Sequence, residues 1–80
     1  MESKIAVVAI IVSDTNAVER INALLHSYGE YIIGRLGLPY KQKNLNVISV
    51  VMDAPVEKIN SLSGKLGMID GVSSKVLTTK

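Results

Sequence analysis

Four consecutive polar residues, Ser13, Asp14, Thr15 and Asn16, form the first group in the chain that could bind a ligand. They follow an apolar stretch and precede an amphipathic one, so they are predicted to connect a strand to a helix. Backbone amides at the start of a helix bind anions, and these side chains could add hydrogen bonds to the same ligand. The alternative is that they cap the helix without any ligand, which is the more common role of these residue types.

Arg35 and Tyr40 form the second candidate group, because they bracket a predicted Gly-Leu-Pro turn. A guanidinium pairs well with a carboxylate or a phosphate. The alternative is a solvated charge on an edge strand and an aromatic ring that packs over a turn. With residues 13–16, these two complete the set of candidate ligand-binding residues.

Catalysis and metal binding are not predicted. The 80-residue chain has no cysteine and one histidine, His26. This excludes thiolate chemistry, disulfides and iron–sulfur ligation. No metal site or cofactor is predicted unless carboxylates or symmetry-related copies of His26 supply the ligands. No nucleophile with a neighbouring base is recognisable, so we predict that the protein is not an enzyme.

The charge and the hydropathy of the chain restrict its partners. The net charge of +2 is small and its cations are scattered, which predicts no sequence-specific binding of nucleic acid. The longest apolar run, residues 5–12, is too short to span a bilayer. We therefore expect a cytoplasmic protein that does not enter a membrane.

Two segments read as strands that are apolar on both faces, residues 4–12 and residues 45–52. A strand of this kind is covered on both faces. Two further strands are predicted at residues 30–38 and from Val72 onward, after an Asp-Gly turn. Gly34 and Gly37 are predicted to mark bulges or close backbone approach, and residues 39–44 are predicted to form a loop.

The spacing of the apolar residues predicts one helix after each of the two strands that are apolar on both faces. The first helix begins either with Asp14 as its cap or with Asn16 and Glu19 as a capping box, and ends near residues 27–29. The second helix is expected to end at Gly67, and this glycine is expected to adopt the left-handed conformation.

The second helix also carries two predictions about single residues. Asp53 or Ala54 is predicted to cap it, with Pro55 in its first turn. Gly64 lies inside the last turn, where glycine costs up to about 1 kcal/mol relative to alanine. We interpret this glycine as one that lets the helix approach the sheet closely.

The predicted order βαββαβ is that of the ferredoxin-like α+β fold. Its antiparallel sheet of four strands has the spatial order 4-1-3-2, and its two helices cover one face. The two-faced strands, the first and third, then lie at the centre, as their composition requires. Residues 1–80 are interpreted as one such domain.

Two helices leave the other face of the sheet uncovered, and this predicts self-association. Either Val7 or Val8 must point outward, and the alternation of the strand does not decide which. The exposed patch would be larger than a monomer usually shows. A homodimer or homotetramer is therefore expected.

Two blocks, residues 34–40 (GRLGLPY) and residues 62–72 (LSGKLGMIDGV), resemble the iron-only hydrogenase system regulators, which have an ACT-like, ferredoxin-like fold. The likeness extends over nearly the whole chain and implies a regulatory role. The same fold resembles the C-terminal domain of nickel-responsive repressors, but the cysteine and histidines of that nickel site are missing. The resemblance implies a homo-oligomeric regulator that binds a small ligand or a regulatory protein. The alternative is an adaptor that binds another polypeptide and no small molecule.

Overall fold

The computed structural model describes residues 2–79, and six helices and strands follow one another in the predicted order. Short 3-10 turns at Thr15–Ala17, Gly29–Tyr31 and Lys41–Lys43 complete the connections. The bounds of the six elements are β1 Ser3–Val12, α1 Val18–Ser27, β2 Ile32–Tyr40, β3 Leu45–Pro55, α2 Val56–Gly67 and β4 Val72–Thr78.

The four strands form one antiparallel sheet in the order β2-β3-β1-β4. Read from the other edge this is 4-1-3-2, so the predicted ferredoxin-like topology is confirmed. In the central register, Val8 of β1 pairs with Val50 of β3 on one side and with Val76 of β4 on the other. The two strands that are apolar on both faces occupy the two central positions.

The core lies between the two helices and one face of the sheet. In β1 every second residue from Ala6 to Val12 is fully buried, and β3 shows the same alternation from Ile48 to Ala54. The helices contribute five apolar residues, which are Ile21, Leu25, Ile59, Leu62 and Leu66. Alternation along the strands and a three-to-four residue spacing along the helices produce this core.

The opposite face of the sheet, here called the open face, carries no helix and remains apolar. Val7 is 37% exposed on it while Val8 is 0% exposed in the core, so the orientation left undecided by the sequence is resolved. The larger apolar side chains of the open face are Ile5, Val7, Ile11, Leu36, Leu38, Val47 and Leu77.

The edge strand β2 differs from its prediction. It begins two residues later and continues through Pro39 and Tyr40, which were predicted to lie in a loop. Pro39 is tolerated because it lies in a strand with a neighbour on only one side. The register shifts between Ile32 and Gly34, which agrees with a bulge. At Gly37 the register is regular and no atom lies within 4 Å of an added Cβ, so neither the bulge nor the close approach predicted there is present.

The ends of α2 also differ from the sequence prediction. β3 continues to Pro55, which is the N-cap, so neither Asp53 nor Ala54 caps the helix. Gly67 is the last helical residue and the following C-cap, Met68, is right-handed. Among the described glycines only Gly71 has a positive φ, of 81°. The left-handed glycine is therefore Gly71, in the turn before β4, and the left-handed conformation predicted for Gly67 is wrong.

Gly64 is exposed, and no atom lies within 4 Å of a Cβ built on it. The interpretation that this glycine allows α2 to approach the sheet is therefore wrong. Its conformational cost in the helix is not offset by packing.

A hydrogen-bonded tyrosine joins the two helices. The hydroxyl groups of Tyr28, at the end of α1, and Ser61, on α2, are 2.7 Å apart. The ammonium of Lys65 lies 5.4 Å from the centroid of the same ring. The hydrogen bond with Ser61 lowers the pKa of Tyr28 against the opposing effect of burial, and the charges of Lys65 and Lys58 lower it further.

We expect Tyr28→Phe to destabilise the fold by about 1 kcal/mol at neutral pH, because the hydrogen bond to Ser61 is lost. The difference should grow as the pH rises towards about 10, the value for an unfolded tyrosine. A tyrosine whose pKa is lower in the folded state than in the unfolded state adds to the free energy of unfolding as the pH rises above the folded-state pKa. This contribution is complete above the unfolded-state pKa. Urea unfolding of both proteins at pH 7 and at about pH 9.5 measures this. Ser61→Ala is the control for the hydrogen bond, and a difference independent of pH would contradict the lowered pKa.

Candidate functional site

The connection between β1 and α1 holds the first four candidate residues. Asp14 is the N-cap of the turn Thr15–Ala17, and its Oδ1 accepts a hydrogen bond from the backbone N–H of Asn16 at 3.0 Å. The backbone N–H of Ser13 donates to the carbonyl of Gly71 at 2.8 Å. Asp14 was one of the two predicted helix caps, and it caps the 3-10 turn that precedes α1. The α-helix itself begins after Ala17, where no side chain caps it.

Asp14 and Asn16 line a shallow cavity of about 240 Å³ together with Arg20 and Asp70. Two carboxylates face one guanidinium there, so the cavity offers no excess of positive charge to an anion. The hydrogen bond of Asp14 lies within the turn, and those of Ser13 join it to Gly71 in the turn before β4. This geometry favours the capping role for this part of the connection.

Arg35 lies on the helix-facing side of β2, because its partner in the sheet is the buried Val50. Its guanidinium donates a hydrogen bond to Oδ1 of Asn22 on α1 at 2.8 Å. This bond bridges a depression between the helix and the edge strand, which we call the α1–β2 groove.

The α1–β2 groove consists of two neighbouring cavities whose linings share Asn22 and Arg35. One, of about 280 Å³, extends towards His26 and Gly29. The other, of about 210 Å³, is lined by Val18, Asn22, Arg35, Gly37, Leu38, Pro39, Asn46 and Ile48. A charged group and two amides therefore lie beside an apolar wall.

Tyr40 ends β2, and its hydroxyl donates a hydrogen bond to Oε1 of Gln42 at 2.7 Å. It lines a third cavity, of about 200 Å³, with Thr15 and Lys41. This cavity shares Pro39 and Asn46 with the α1–β2 groove. Thr15 and Tyr40 thus line a cavity next to the groove that Arg35 lines, while Ser13, Asp14 and Asn16 line neither.

Sequence reasoning missed Asn22 and Asn46. Asn22 was read as part of an amphipathic helix, and only the fold brings it to Arg35. A signal was available in β2, where alternate positions 35, 37 and 39 are Arg, Gly and Pro on the helix-facing side. Three such residues cannot fill the space under a helix as aliphatic side chains would.

Apart from His26, the polar side chains that line the groove are a guanidinium and amides. These groups donate hydrogen bonds, but they are neither nucleophiles nor general bases at neutral pH. Within residues 2–79, no three His, Cys, Asp or Glu side chains lie close enough together to hold a metal ion. The fold and the site thus define a ferredoxin-like α+β domain with an apolar open face and a small groove lined by an arginine and two asparagines.

Comparison with known proteins identifies the family. Residues 4–76 match the family described as "TM1266-like: Iron-only hydrogenase system regulator, putative", so the chain belongs to this family. It is also similar to the solved structure of the uncharacterized protein TM1266 from Thermotoga maritima. The two share 35% sequence identity with a TM-score of 0.94, over 99% of this chain and 100% of the other.

A more distant similarity concerns the fold alone. A formyltetrahydrofolate deformylase from Pseudomonas putida is 14% identical with a TM-score of 0.61, over 92% of this chain and 28% of the enzyme. The comparison with curated proteins returned no match. None of the helices in the described part of the chain has the length and apolar character needed to cross a membrane.

Proposed function

We propose that this chain is a non-enzymatic, cytoplasmic regulatory protein that acts as a homodimer or homotetramer, in the manner of ACT-like domains. Its family membership supports a regulatory role in the iron-only hydrogenase system. The single observation that carries the oligomeric part is the open face, where seven large apolar side chains lie without a helix to cover them. A second copy of the chain covers such a surface with complementary apolar groups.

The ligand-binding part of the proposal concerns the six candidate residues. Thr15 and Tyr40 line a cavity that shares Pro39 and Asn46 with the cavity lined by Arg35, and this proximity supports a common ligand site. Ser13, Asp14 and Asn16 then act indirectly, since they hold the connection that carries Thr15. A small ligand bound here would regulate the protein by changing how its subunits associate. No metal or other cofactor is part of this proposal.

The alternative function is a protein-interaction adaptor without a small ligand. One observation favours it, because β2 is a nine-residue edge strand that exposes Leu36 and Leu38. An extended peptide of another protein can pair with such an edge.

The test is sedimentation equilibrium of the purified chain at tens of micromolar, without and with candidate ligands. We expect a dimer or tetramer that dissociates less readily when a ligand is bound. A ligand that binds only the oligomer, present at about 100 times its own dissociation constant, stabilises the oligomer by roughly 2.7 kcal/mol per site. A monomer at these concentrations would overturn the oligomeric proposal. An oligomer that responds to no amino acid or nucleotide but captures a defined hydrogenase-system protein would favour the adaptor.

A further inference from the structure

We infer that the α1–β2 groove binds a small organic monocarboxylate with a short apolar chain, and that Arg35 pairs with its carboxylate. The inference rests on the proposed function, since it specifies the chemical class of the ligand for part of the same site. Charge, shape and the donors around Arg35 each support it.

The charge of the groove favours an anion. Among the described residues, its two cavities are lined by one arginine, Arg35, and by no aspartate or glutamate. The neighbouring cavity at Thr15 and Tyr40 adds Lys41 and again no carboxylate. A carboxylate entering the groove therefore meets a guanidinium without a competing side-chain carboxylate in the lining.

The donors around Arg35 suit a carboxylate. The guanidinium has five N–H donors, and the bond to Asn22 occupies one of them. Because Asn22 accepts that bond through Oδ1, its amide Nδ2 remains a donor beside the guanidinium. Two adjacent donor groups match the two oxygens of a carboxylate.

The apolar part of the groove exists because position 37 has no side chain. Gly37 pairs with the buried Ile48, so a side chain at position 37 would point towards α1. A Cβ there would meet no atom within 4 Å, and the backbone does not have the positive φ that favours glycine. Neither packing nor backbone conformation requires this glycine. Its effect is to leave space beside Arg35 and the half-buried Val18, in a cavity that the buried Ile48 also lines.

This combination distinguishes the ligand class. Inorganic phosphate would leave the apolar wall unused and usually needs more than one cation or several backbone amides. A neutral apolar molecule would leave the donors of Arg35 and Asn22 unpaired. A monocarboxylate with a short apolar chain uses both halves of the groove.

The experiment is an NMR titration of the full chain, labelled with 15N, with sodium valerate, neutral valeramide and inorganic phosphate as separate probes. We expect saturable shifts of the Gly37 amide and the Arg35 Nε resonance with valerate, at a millimolar dissociation constant typical of so small a ligand. Valeramide and phosphate should each bind at least about tenfold more weakly.

Three variants complete the test. Arg35→Gln and Gly37→Val should each weaken valerate binding by at least about tenfold, the first through lost charge and the second through lost space. Arg20→Gln is the matched control, because it removes an exposed arginine of α1 that lines a different cavity. It should leave valerate binding unchanged. Circular dichroism confirms that each variant is folded.

Equal binding of valerate and valeramide, tighter binding of phosphate, or unchanged affinity in Arg35→Gln would overturn the inference. These outcomes are separate from those that test self-association. Valerate binding to a monomeric protein would support the groove while rejecting the oligomer. An oligomer that binds no valerate would do the reverse.

Discussion

Val7→Glu and Val8→Glu are expected to have opposite consequences although they are adjacent and chemically identical changes. Val8 is 0% exposed between the helices and the sheet. A carboxylate there would be buried without a partner, at a cost of about 4 kcal/mol or more, comparable to the whole stability of a small domain. We expect circular dichroism to show that the Val8→Glu variant is unfolded. Val7 lies on the open face, so Val7→Glu should fold with a loss of less than about 1 kcal/mol.

In the proposed oligomer the same Val7→Glu change places a charge inside an apolar interface. An interface that buries about 400 Å² of apolar surface on each subunit would yield on the order of 20 kcal/mol before the costs of association, which cancel much of it. An unpaired charge at its centre should weaken association by at least about 100-fold. Sedimentation equilibrium should therefore show folded monomers.

The charge-matched control for Val7→Glu is Ala23→Glu, at an exposed position of α1 away from the open face. It should leave the oligomer intact. If Val7→Glu remains an oligomer with the affinity of the wild type, the open face is not the subunit interface. If Val8→Glu folds normally, the assignment of the two faces is wrong.

Gly71→Ala is the second substitution with a large expected effect. Gly71 has a φ of 81°, and a Cβ built on it would lie 2.6 Å from Cβ of Asp14 and 3.2 Å from the backbone nitrogen of Asp14. The first distance is far below van der Waals contact, and the positive φ adds backbone strain. We expect a loss of about 2–4 kcal/mol in the free energy of unfolding, measured by urea denaturation.

The environment of Gly71 explains why this strain cannot be relieved cheaply. Its carbonyl accepts the hydrogen bond from the backbone N–H of Ser13, so a shift of the turn breaks the link between the β1–α1 connection and the start of β4. Gly64→Ala is the matched control, because no atom lies within 4 Å of its added Cβ. Because position 64 lies in a helix, Gly64→Ala should stabilise the fold by about 0.5–1 kcal/mol. Equal stability of Gly71→Ala and the wild type would contradict the strain argument.

The sequence alone determined the order of the elements and the topology. Residues 4–12 and 45–52 carry mostly apolar side chains on both faces, and this pattern suits the central strands of a sheet. The β2 strand, with two glycines and a proline, suits an edge because an edge strand pairs on one side only. The absence of cysteine excluded whole classes of chemistry without any structure.

Only the tertiary structure decided which face of the sheet is buried. Both faces of β1 carry aliphatic residues, so a pattern with period two is equally consistent with Val7 or Val8 inside. The helices settle it, since their apolar stripes contact one set of residues and leave the other exposed. The close approach predicted for Gly64 was wrong for the same reason, because the atoms that lie beside a glycine, such as those of Asp14 beside Gly71, belong to residues distant in the chain.

The candidate site shows the same division. Arg35 and Tyr40 stood out by residue type and by their position around a predicted turn, and the chemistry of a guanidinium could be stated from the sequence. The turn itself was predicted wrongly, because residues 37–39 continue β2. The hydrogen-bond partner of Arg35 is 13 residues away on another element. The open space at Gly37 depends on how α1 lies above β2. A groove is a property of the distance between packed elements, and local sequence patterns do not encode that distance.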